Sequence, residues 1–118
     1  MLINLSNHPS SKWDQKQLEA ALKYGEIVDI PFPDVDASGD EEYIEGLKVQ
    51  YLEEIRSIAN ASDCTIHLMG EMTFSFSLVT ALKSQGYRCV ASTSKRNVTI
   101  NPDGSKTQIF EFKRFRCY

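Results

Sequence analysis

Two short polar segments interrupt apolar runs of the sequence and carry side chains suited to chemistry. Residues 6–11 are Ser-Asn-His-Pro-Ser-Ser, and residues 70–73 are Gly-Glu-Met-Thr. His8 can donate, accept or transfer a proton. Gly70 permits a close approach to the backbone, and free N–H groups at a helix start can hold a phosphate or another anion. The candidate ligand-binding residues in these segments are Ser6, Asn7, Ser10, Ser11, Gly70, Glu71 and Thr73.

A third polar segment, residues 92–96, follows a run that predicts a strand. It is Ser-Thr-Ser-Lys-Arg. Its hydroxyls and cations suit phosphate oxygens, and Arg96 can form bidentate hydrogen bonds. This segment therefore adds candidate ligand-binding and phosphate-stabilising residues, which are Ser92, Thr93, Ser94, Lys95 and Arg96.

Plainer explanations of the three segments stay open. Ser11 and Thr73 can be ordinary helix N-caps, and His8 can be a solvated turn residue. Residues 92–96 can form a polar turn. The position of the segments in the fold must decide between these explanations and a ligand site.

Glu71 is unexpected beside a phosphate, because like charges repel. It can pair with a basic residue, contact a hydroxyl or interact with the dipole of the following helix. If a phosphate binds there, we expect Lys95 or Arg96 to offset the charge of Glu71.

Hydrophobic periodicity predicts the order β-α-β-α-β-α-β followed by a β-hairpin. The hairpin signal is Asn-Pro-Asp-Gly at residues 101–104. Strands are predicted at residues 2–5, 27–30, 64–69 and 87–91, helices at 12–24, 40–59 and 73–83, and hairpin strands at 97–100 and 106–112.

This order predicts a single Rossmann-like α/β domain over residues 1–118, doubly wound around a mainly parallel sheet of order 2-1-3-4. The C-terminal antiparallel hairpin would extend or cover the far edge. In such a sheet the first and third strands are neighbours, and ligands bind beyond their carboxyl ends. The topology therefore predicts that residues 6–11 and 70–73 meet at one site.

Composition narrows the class of protein. The formal net charge is −3, but residues 1–86 carry six Lys or Arg against 14 Asp or Glu, whereas residues 87–118 carry seven against two. The resulting charges of −8 and +5 favour a local anion site or internal charge pairing, and they argue against wholesale binding to duplex DNA. The sequence has no apolar run long enough for a transmembrane helix and no basic leader, which predicts a cytoplasmic protein without membrane association.

Metal and cofactor motifs are weak. The three cysteines have no Cys-x-x-Cys spacing, which favours reduced thiols over disulfides or zinc. There is no Walker loop and no dinucleotide fingerprint, so we expect no cofactor and no metal.

Residues 34–45 match calcium-loop positions 1, 3, 5, 6 and 12. A strand and Pro-Phe-Pro precede them instead of a helix, which favours a helix start capped by Ser38 or Asp40.

Two further features have ordinary structural interpretations. His67 lies inside an apolar run and is interpreted as a hydrogen-bonded core residue. Residues 113–116 are Lys-Arg-Phe-Arg, which suits single-stranded nucleic acid but is more typical of an amphipathic strand that buries Phe110, Phe112 or Phe115.

Five stretches carry a further signal when they are taken together: residues 4–9, 25–33, 67–73, 89–96 and 112–116. They resemble small CRISPR-associated Rossmann-like proteins, the stand-alone relatives of domains that bind cyclic oligoadenylate messengers. The resemblance implies a homodimer that binds a small cyclic RNA across its two-fold axis at the carboxyl ends of the strands. Some such proteins are ring nucleases, which linearise the messenger without metal and end type III antiviral signalling.

The resemblance implies a ring nuclease as the first hypothesis. His8 or a nearby hydroxyl would transfer a proton, and Lys95 and Arg96 would stabilise charge on the reacting phosphate. Two other classes stay open: a module that senses a nucleotide without cleaving it, and a dimeric protein-interaction module. An enzyme acting on a small phosphorylated substrate is a further possibility.

Overall fold

The computed structural model describes the whole chain, Met1–Tyr118. Five strands form one sheet in the order β2-β1-β3-β4-β5, in which only β4 and β5 are antiparallel. The predicted order 2-1-3-4 and the C-terminal hairpin are therefore confirmed. The strands are β1 (Leu2–Ser6), β2 (Ile27–Asp29), β3 (Thr65–Met69), β4 (Arg88–Ile100) and β5 (Lys106–Cys117).

Three α-helices cover the sheet: α1 (Gln15–Leu22), α2 (Glu41–Ile58) and α3 (Met72–Ser84). The side chain of Asp40 accepts the N–H of Tyr43 and caps α2, as one of the two predicted caps. A strand and an irregular segment precede α2, and no group of three or more His, Cys, Asp or Glu side chains is placed to hold a metal ion. None of the helices combines the length and the apolar character needed to cross a membrane.

The start of α1 differs from the prediction. Ser10–Lys12 forms a short 3-10 helix, and α1 begins only at Gln15, where the side chain of Asp14 accepts the N–H of Gln17 at 2.8 Å. Neither Ser10 nor Ser11 caps α1, so the alternative in which Ser11 is the N-cap is wrong, and the N–H groups near Ser10 and Ser11 are not those of the α1 start. Asp14 takes that place because its carboxylate can satisfy an N–H group that the first helical turn leaves unpaired.

The helices lie on both faces of the sheet, as a doubly wound fold requires. Side chains of a strand alternate between the two faces, so Leu2 packs with α1 while Ile3 packs with α2 and α3. The core on the α1 side includes Trp13, Val90 and Phe115. The core on the other side is larger and surrounds the fully buried ring of Phe74, which belongs to α3.

The largest departure from the predicted elements is in β4. This strand runs from Arg88 to Ile100 without interruption, so residues 92–96 are neither a turn nor a loop. Local polarity predicted a turn, but pairing with β5 keeps the segment extended. The register shifts between Thr93 and Ser94, whose partners are Arg114 and Phe112.

The shift leaves Lys113 as the extra residue of a β-bulge. Because of this extra residue, Phe112 and Phe115 both turn into the core on the α1 side, although their spacing of three would place them on opposite faces of a regular strand. Both rings are buried, whereas Phe110 is exposed. The predicted burial thus holds for two of the three phenylalanines.

Beyond the bulge, β4 and β5 pair only with each other and leave the sheet. We call residues 94–112 the arm. The radius of gyration is 16.0 Å, against about 13–14 Å for a compact chain of this length. The arm reverses direction at residues 101–105, where Gly104 adopts a φ of 86°, a conformation that glycine permits at little cost. The predicted turn is confirmed.

Gly70, which follows β3, is required by packing within the protein. A Cβ atom at this position would lie 2.2 Å from the ring of Phe32. That ring also meets Phe74 edge-on, with centroids 5.4 Å apart, so it has little room to move away. Gly70 therefore lets the segment after β2 pack directly under the end of β3.

We predict that Gly70→Ala destabilises the protein by about 1–3 kcal/mol, because the added methyl group forces the Phe32 ring out of its packed position. The matched control is Gly46→Ala, since Gly46 lies within α2 and nothing lies within 4 Å of its Cβ position. That control should be stabilised by about 0.5–1 kcal/mol. The free energies of unfolding in urea check both values, and equal stability of the two variants would contradict the packing argument.

Candidate functional site

A crevice of about 640 Å³ opens at the carboxyl ends of β1 and β3, between the loop that precedes α1 and the base of the arm. We call it the switch-point crevice, because β1 and β3 are the neighbours from which the helices leave to opposite faces. The predicted meeting of the segment after β1 with the end of β3 is present here. The crevice is lined by Ser6, Asn7, His8, Lys12, Trp13, Asp14, Gln17, His67, Met69, Gly70, Ser92, Thr93, Ser94, Phe110 and Phe112.

The crevice brings together more than half of the residues predicted from the sequence. The end of β1 and the segment after it supply hydroxyl, amide and imidazole groups, and β4 supplies the hydroxyls of Ser92 and Ser94 although it is a strand at that point. Thr93 also lines the crevice, but its hydroxyl is bonded to the backbone N–H and carbonyl oxygen of Arg114. The predicted residues that line the crevice are Ser6, Asn7, His8, Gly70, Ser92, Thr93 and Ser94.

Ser10 faces away from the crevice. It donates its backbone N–H to Asp29 Oδ1 at 3.0 Å and its hydroxyl to Asp29 Oδ2 at 2.6 Å. The Ser10 N–H and hydroxyl, which were predicted to hold an anion of a ligand, are therefore already bonded to the carboxylate of Asp29. Ser11 is exposed in the adjoining 3-10 helix and does not line the crevice.

Glu71 is the N-cap of α3. Its carboxylate accepts the backbone N–H groups of Thr73 at 3.1 Å and Phe74 at 2.7 Å, and it also accepts the Thr73 hydroxyl. The Phe74 N–H and the Thr73 groups hold the pKa of this exposed carboxyl below its usual range. Two of the predicted roles, hydroxyl contact and interaction with the helix start, are thus confirmed. The alternative in which Thr73 is the cap is wrong.

The two predicted cations, Lys95 and Arg96, lie in the arm and form no ion pair; the ion pairs of the protein are Lys48 with Glu45 and Lys113 with Glu111. Neither cation offsets Glu71. Arg96 is directly opposite Phe110 in the arm, so both side chains are on one face, and Phe110 lines the crevice. Lys95 is opposite Glu111 and belongs to the other face.

A row of polar side chains crosses the sheet beneath the crevice. Asp29, Asn4 and His67 are register partners on β2, β1 and β3. Asn4 Nδ2 donates to Asp29 Oδ1 at 2.7 Å, and Asn4 Oδ1 lies 2.8 Å from His67 Nδ1. His67 Nε2 is 2.6 Å from the hydroxyl oxygen of Ser92 on β4. The prediction that His67 is a hydrogen-bonded core residue is confirmed, since it is only 2% exposed.

The partners of Asn4 determine which nitrogen of His67 carries the proton. Asn4 Nδ2 faces two acceptors, the Asp29 carboxylate and the carbonyl oxygen of His8 at 2.9 Å. The amide oxygen of Asn4 therefore points at His67 Nδ1, which must donate. His67 Nε2 is then the unprotonated nitrogen and accepts the hydroxyl proton of Ser92. Such a nitrogen can act as a base toward a hydroxyl group.

Burial favours the neutral form of this imidazole and, together with charge repulsion from the nearby His8, lowers the pKa of His67 to about 4. Asp29, at the other end of the row, keeps its charge. Burial raises the pKa of Asp29, but hydrogen bonds from Ser10 and Asn4 outweigh that effect and leave the pKa below its ordinary value. A carboxylate, an amide and a neutral imidazole thus follow one another across the sheet.

Sequence reasoning missed several lining residues. Trp13 donates its indole N–H to the carbonyl oxygen of His8 at 3.1 Å and meets the His67 ring edge-on. Gln17 donates to the Ser92 hydroxyl oxygen at 3.1 Å. The signal that could have found the row is its spacing: Asn4 and Ser6 are polar at alternate positions of an otherwise apolar strand, and therefore share one face.

The fold and the crevice define a Rossmann-like α/β protein with a candidate ligand site at the switch point of its sheet. The chain belongs to the family described as "Uncharacterized protein MJ1673 family", whose model matches residues 1–116. No curated protein and no solved structure matches the chain.

The low pKa of His67 predicts how stability depends on pH. In the unfolded chain this imidazole binds a proton near pH 6.5, whereas in the folded protein it does so only near pH 4. Above pH 6.5, protonation of His67 should leave the free energy of unfolding unchanged. As the pH falls from 6.5 toward 4, this free energy should decrease by about 3 kcal/mol in total.

The measurement is the free energy of unfolding between pH 7 and 4 for the parent protein, His67→Gln and His8→Gln. The His67 variant should show a flatter profile over this interval. The His8 variant should keep most of the slope, because its imidazole is exposed. Parallel profiles for the parent and His67→Gln would mean that His67 is not the titrating group.

Proposed function

We propose that the protein is a cytoplasmic, metal-independent ring nuclease that binds and cleaves a cyclic oligoadenylate and so ends type III antiviral signalling. The proposal begins from the resemblance of several sequence stretches to CRISPR-associated Rossmann-like proteins. A cyclic RNA offers adenine rings, ribose hydroxyls and phosphates, and the switch-point crevice offers partners for each.

The observation that carries the proposal is the combination of an aromatic ring, hydroxyls and an imidazole on the walls of a single crevice. Phe110 is 64% exposed and lines the crevice, and an exposed ring of this kind can stack on a base. Ser92 and Ser94 supply hydroxyls for the sugar and phosphate oxygens, with His8 on the facing loop.

The cations of the arm are proposed to contact the phosphates. Arg96 is the stronger candidate because it shares a face of the arm with Phe110, and its guanidinium can bind two phosphate oxygens. Lys95 belongs to the opposite face. His8 is proposed as the group that protonates the leaving oxygen, since it lies on the loop wall of the crevice.

A homodimer is part of the proposal, because a ring with several equivalent phosphates suits two copies of one site. Exposed apolar side chains support an interface on either side of the crevice. Met72 and Phe76 on α3 are 83% and 76% exposed, and Val98, Ile100 and Ile109 are exposed on the arm. The same apolar surface favours the second candidate function, a dimeric module that senses a nucleotide or binds a protein without catalysis.

The activity is tested by incubating the protein with cyclic tetra-adenylate and cyclic hexa-adenylate in EDTA and separating the products. We expect one ring to be converted to linear products that end in a 2′,3′-cyclic phosphate. Tight binding of a ring without conversion would support the sensing module. Neither binding nor cleavage of either ring would refute the proposal.

The role of the arm is tested with Arg96→Ala. We expect the dissociation constant for the ring to rise about tenfold, because a charge-assisted hydrogen bond to a phosphate is lost. Arg56→Ala is the matched control, since Arg56 is an exposed arginine near the end of α2 and outside the crevice. Equal affinities of the two variants would remove Arg96 from the site.

The homodimer is tested by light scattering after size-exclusion chromatography, with and without the ring. We expect a particle of twice the chain mass. Val98→Glu and Phe76→Glu each place a carboxylate in one of the two apolar surfaces, so the variant that yields a monomer identifies the interface. A monomer in the parent protein at all concentrations, with or without the ring, would contradict the dimer.

A further inference from the structure

The hydroxyl of Ser92 has two neighbours that fix its orientation. Gln17 Nε2 donates to the Ser92 oxygen at 3.1 Å, and His67 Nε2 accepts from it at 2.6 Å. One lone pair of the oxygen is then used by Gln17, and the proton points at His67. The remaining lone pair is free to receive a proton from a group in the crevice, which Ser92 helps to line.

We propose that Ser92 and His67 form the proton-transfer centre of the crevice, with Asn4 as the positioning residue that orients His67. This inference rests on the proposed cleavage of a ribose-linked phosphodiester. It assigns the proton acceptor to a buried imidazole, in addition to the exposed His8.

The reaction that this centre serves is a transesterification. The 2′-hydroxyl oxygen of one ribose forms a bond to the adjacent phosphorus, and the bond from phosphorus to the 5′-oxygen breaks. The 2′-hydroxyl proton passes to Ser92 Oγ while the Ser92 proton passes to His67 Nε2. The departing 5′-oxygen takes a proton from His8 or water. The products contain the same atoms as the ring, so no co-reactant is consumed.

The surroundings of His67 keep its ring neutral and fix its orientation before each turnover. Burial favours the uncharged ring, as its pKa of about 4 indicates. Asn4 Oδ1 accepts from Nδ1 and so keeps the lone pair of Nε2 directed at Ser92. When the ring takes up a proton, the same amide oxygen continues to accept from Nδ1, and Asn4 stays fixed by its hydrogen bond to the Asp29 carboxylate.

Four variants test the centre. Ser92→Ala removes the relaying hydroxyl, Ser92→Thr retains one, and His67→Gln keeps a polar side chain but removes the base. Ser62→Ala is the control, because Ser62 is an exposed serine in the loop before β3, at the amino ends of the strands and away from the crevice. Single-turnover cleavage rates, ring affinity and thermal midpoints are measured for each variant.

We expect Ser92→Ala and His67→Gln to lower the cleavage rate about 100-fold or more, while the affinity for the ring changes less than threefold. Ser92→Thr should recover at least a tenth of the parent rate, and Ser62→Ala should match the parent. A merely structural network would instead change affinity and thermal midpoint without a separate loss of rate. Parent-like cleavage by Ser92→Ala or His67→Gln would overturn the inference and leave the proposed function intact.

Nitrogen-15 NMR of the histidine rings provides a test that does not depend on cleavage. We expect His67 in the parent protein to carry its proton on Nδ1, and Asn4→Ala to relax that preference and lower the cleavage rate. A proton on Nε2 in the parent would overturn the inference. So would a phosphoserine trapped at Ser92, since the serine oxygen itself would then be the nucleophile. A parent protein that neither binds nor cleaves a ring would refute the proposed function as well.

Discussion

Asn4 is a buried amide in the middle of a parallel sheet, and its four hydrogen-bonding positions must all be filled within the protein. Its two N–H groups contact the Asp29 carboxylate and the carbonyl oxygen of His8, and its oxygen contacts Ser6 and His67. Three of these contacts reach other parts of the molecule: the end of β2, the loop after β1 and the ring on β3. A buried polar group without partners costs about 1–3 kcal/mol, so these parts have little freedom to rearrange separately. The crevice thus has a rigid floor.

The arm forms the second wall of the crevice. The bulge at Lys113 determines how the arm joins the rest of the protein. The extra residue allows Phe112 and Phe115 to enter the core together, which anchors β5 against α1. Above that anchor the strands continue as a two-stranded ribbon, with Phe110 and Arg96 on one face. The body of the protein carries most of the acidic residues, whereas the arm and the strands at its base carry most of the basic ones.

The fold could be predicted because its signals are local. Short apolar runs with turn formers between them, and an amphipathic α2, determine the element order, and chirality then selects the sheet order. The wrong predictions concern segments whose structure is determined by residues far away in the sequence. Residues 92–96 are polar, which favours a turn, but pairing with β5 keeps them in a strand. Ser10 was predicted to hold an anion, yet Asp29 reaches it across the fold. The pairing of His67 with Ser92 depends on register, which no local pattern encodes.

The two parts of β4 have very different protection from water. Cys89 and Val90 lie under helices on either face of the sheet, whereas the strand residues beyond Thr93 have solvent on both faces. A two-stranded ribbon by itself is marginally stable in water, so backbone amides of the arm should exchange with solvent through local opening, and those near Val90 only through global unfolding. A ligand that stacks on Phe110 would have to supply the free energy that holds the ribbon closed. Part of its intrinsic affinity would then appear as slowed amide exchange throughout the arm, including the residues near Gly104 that the ligand does not touch.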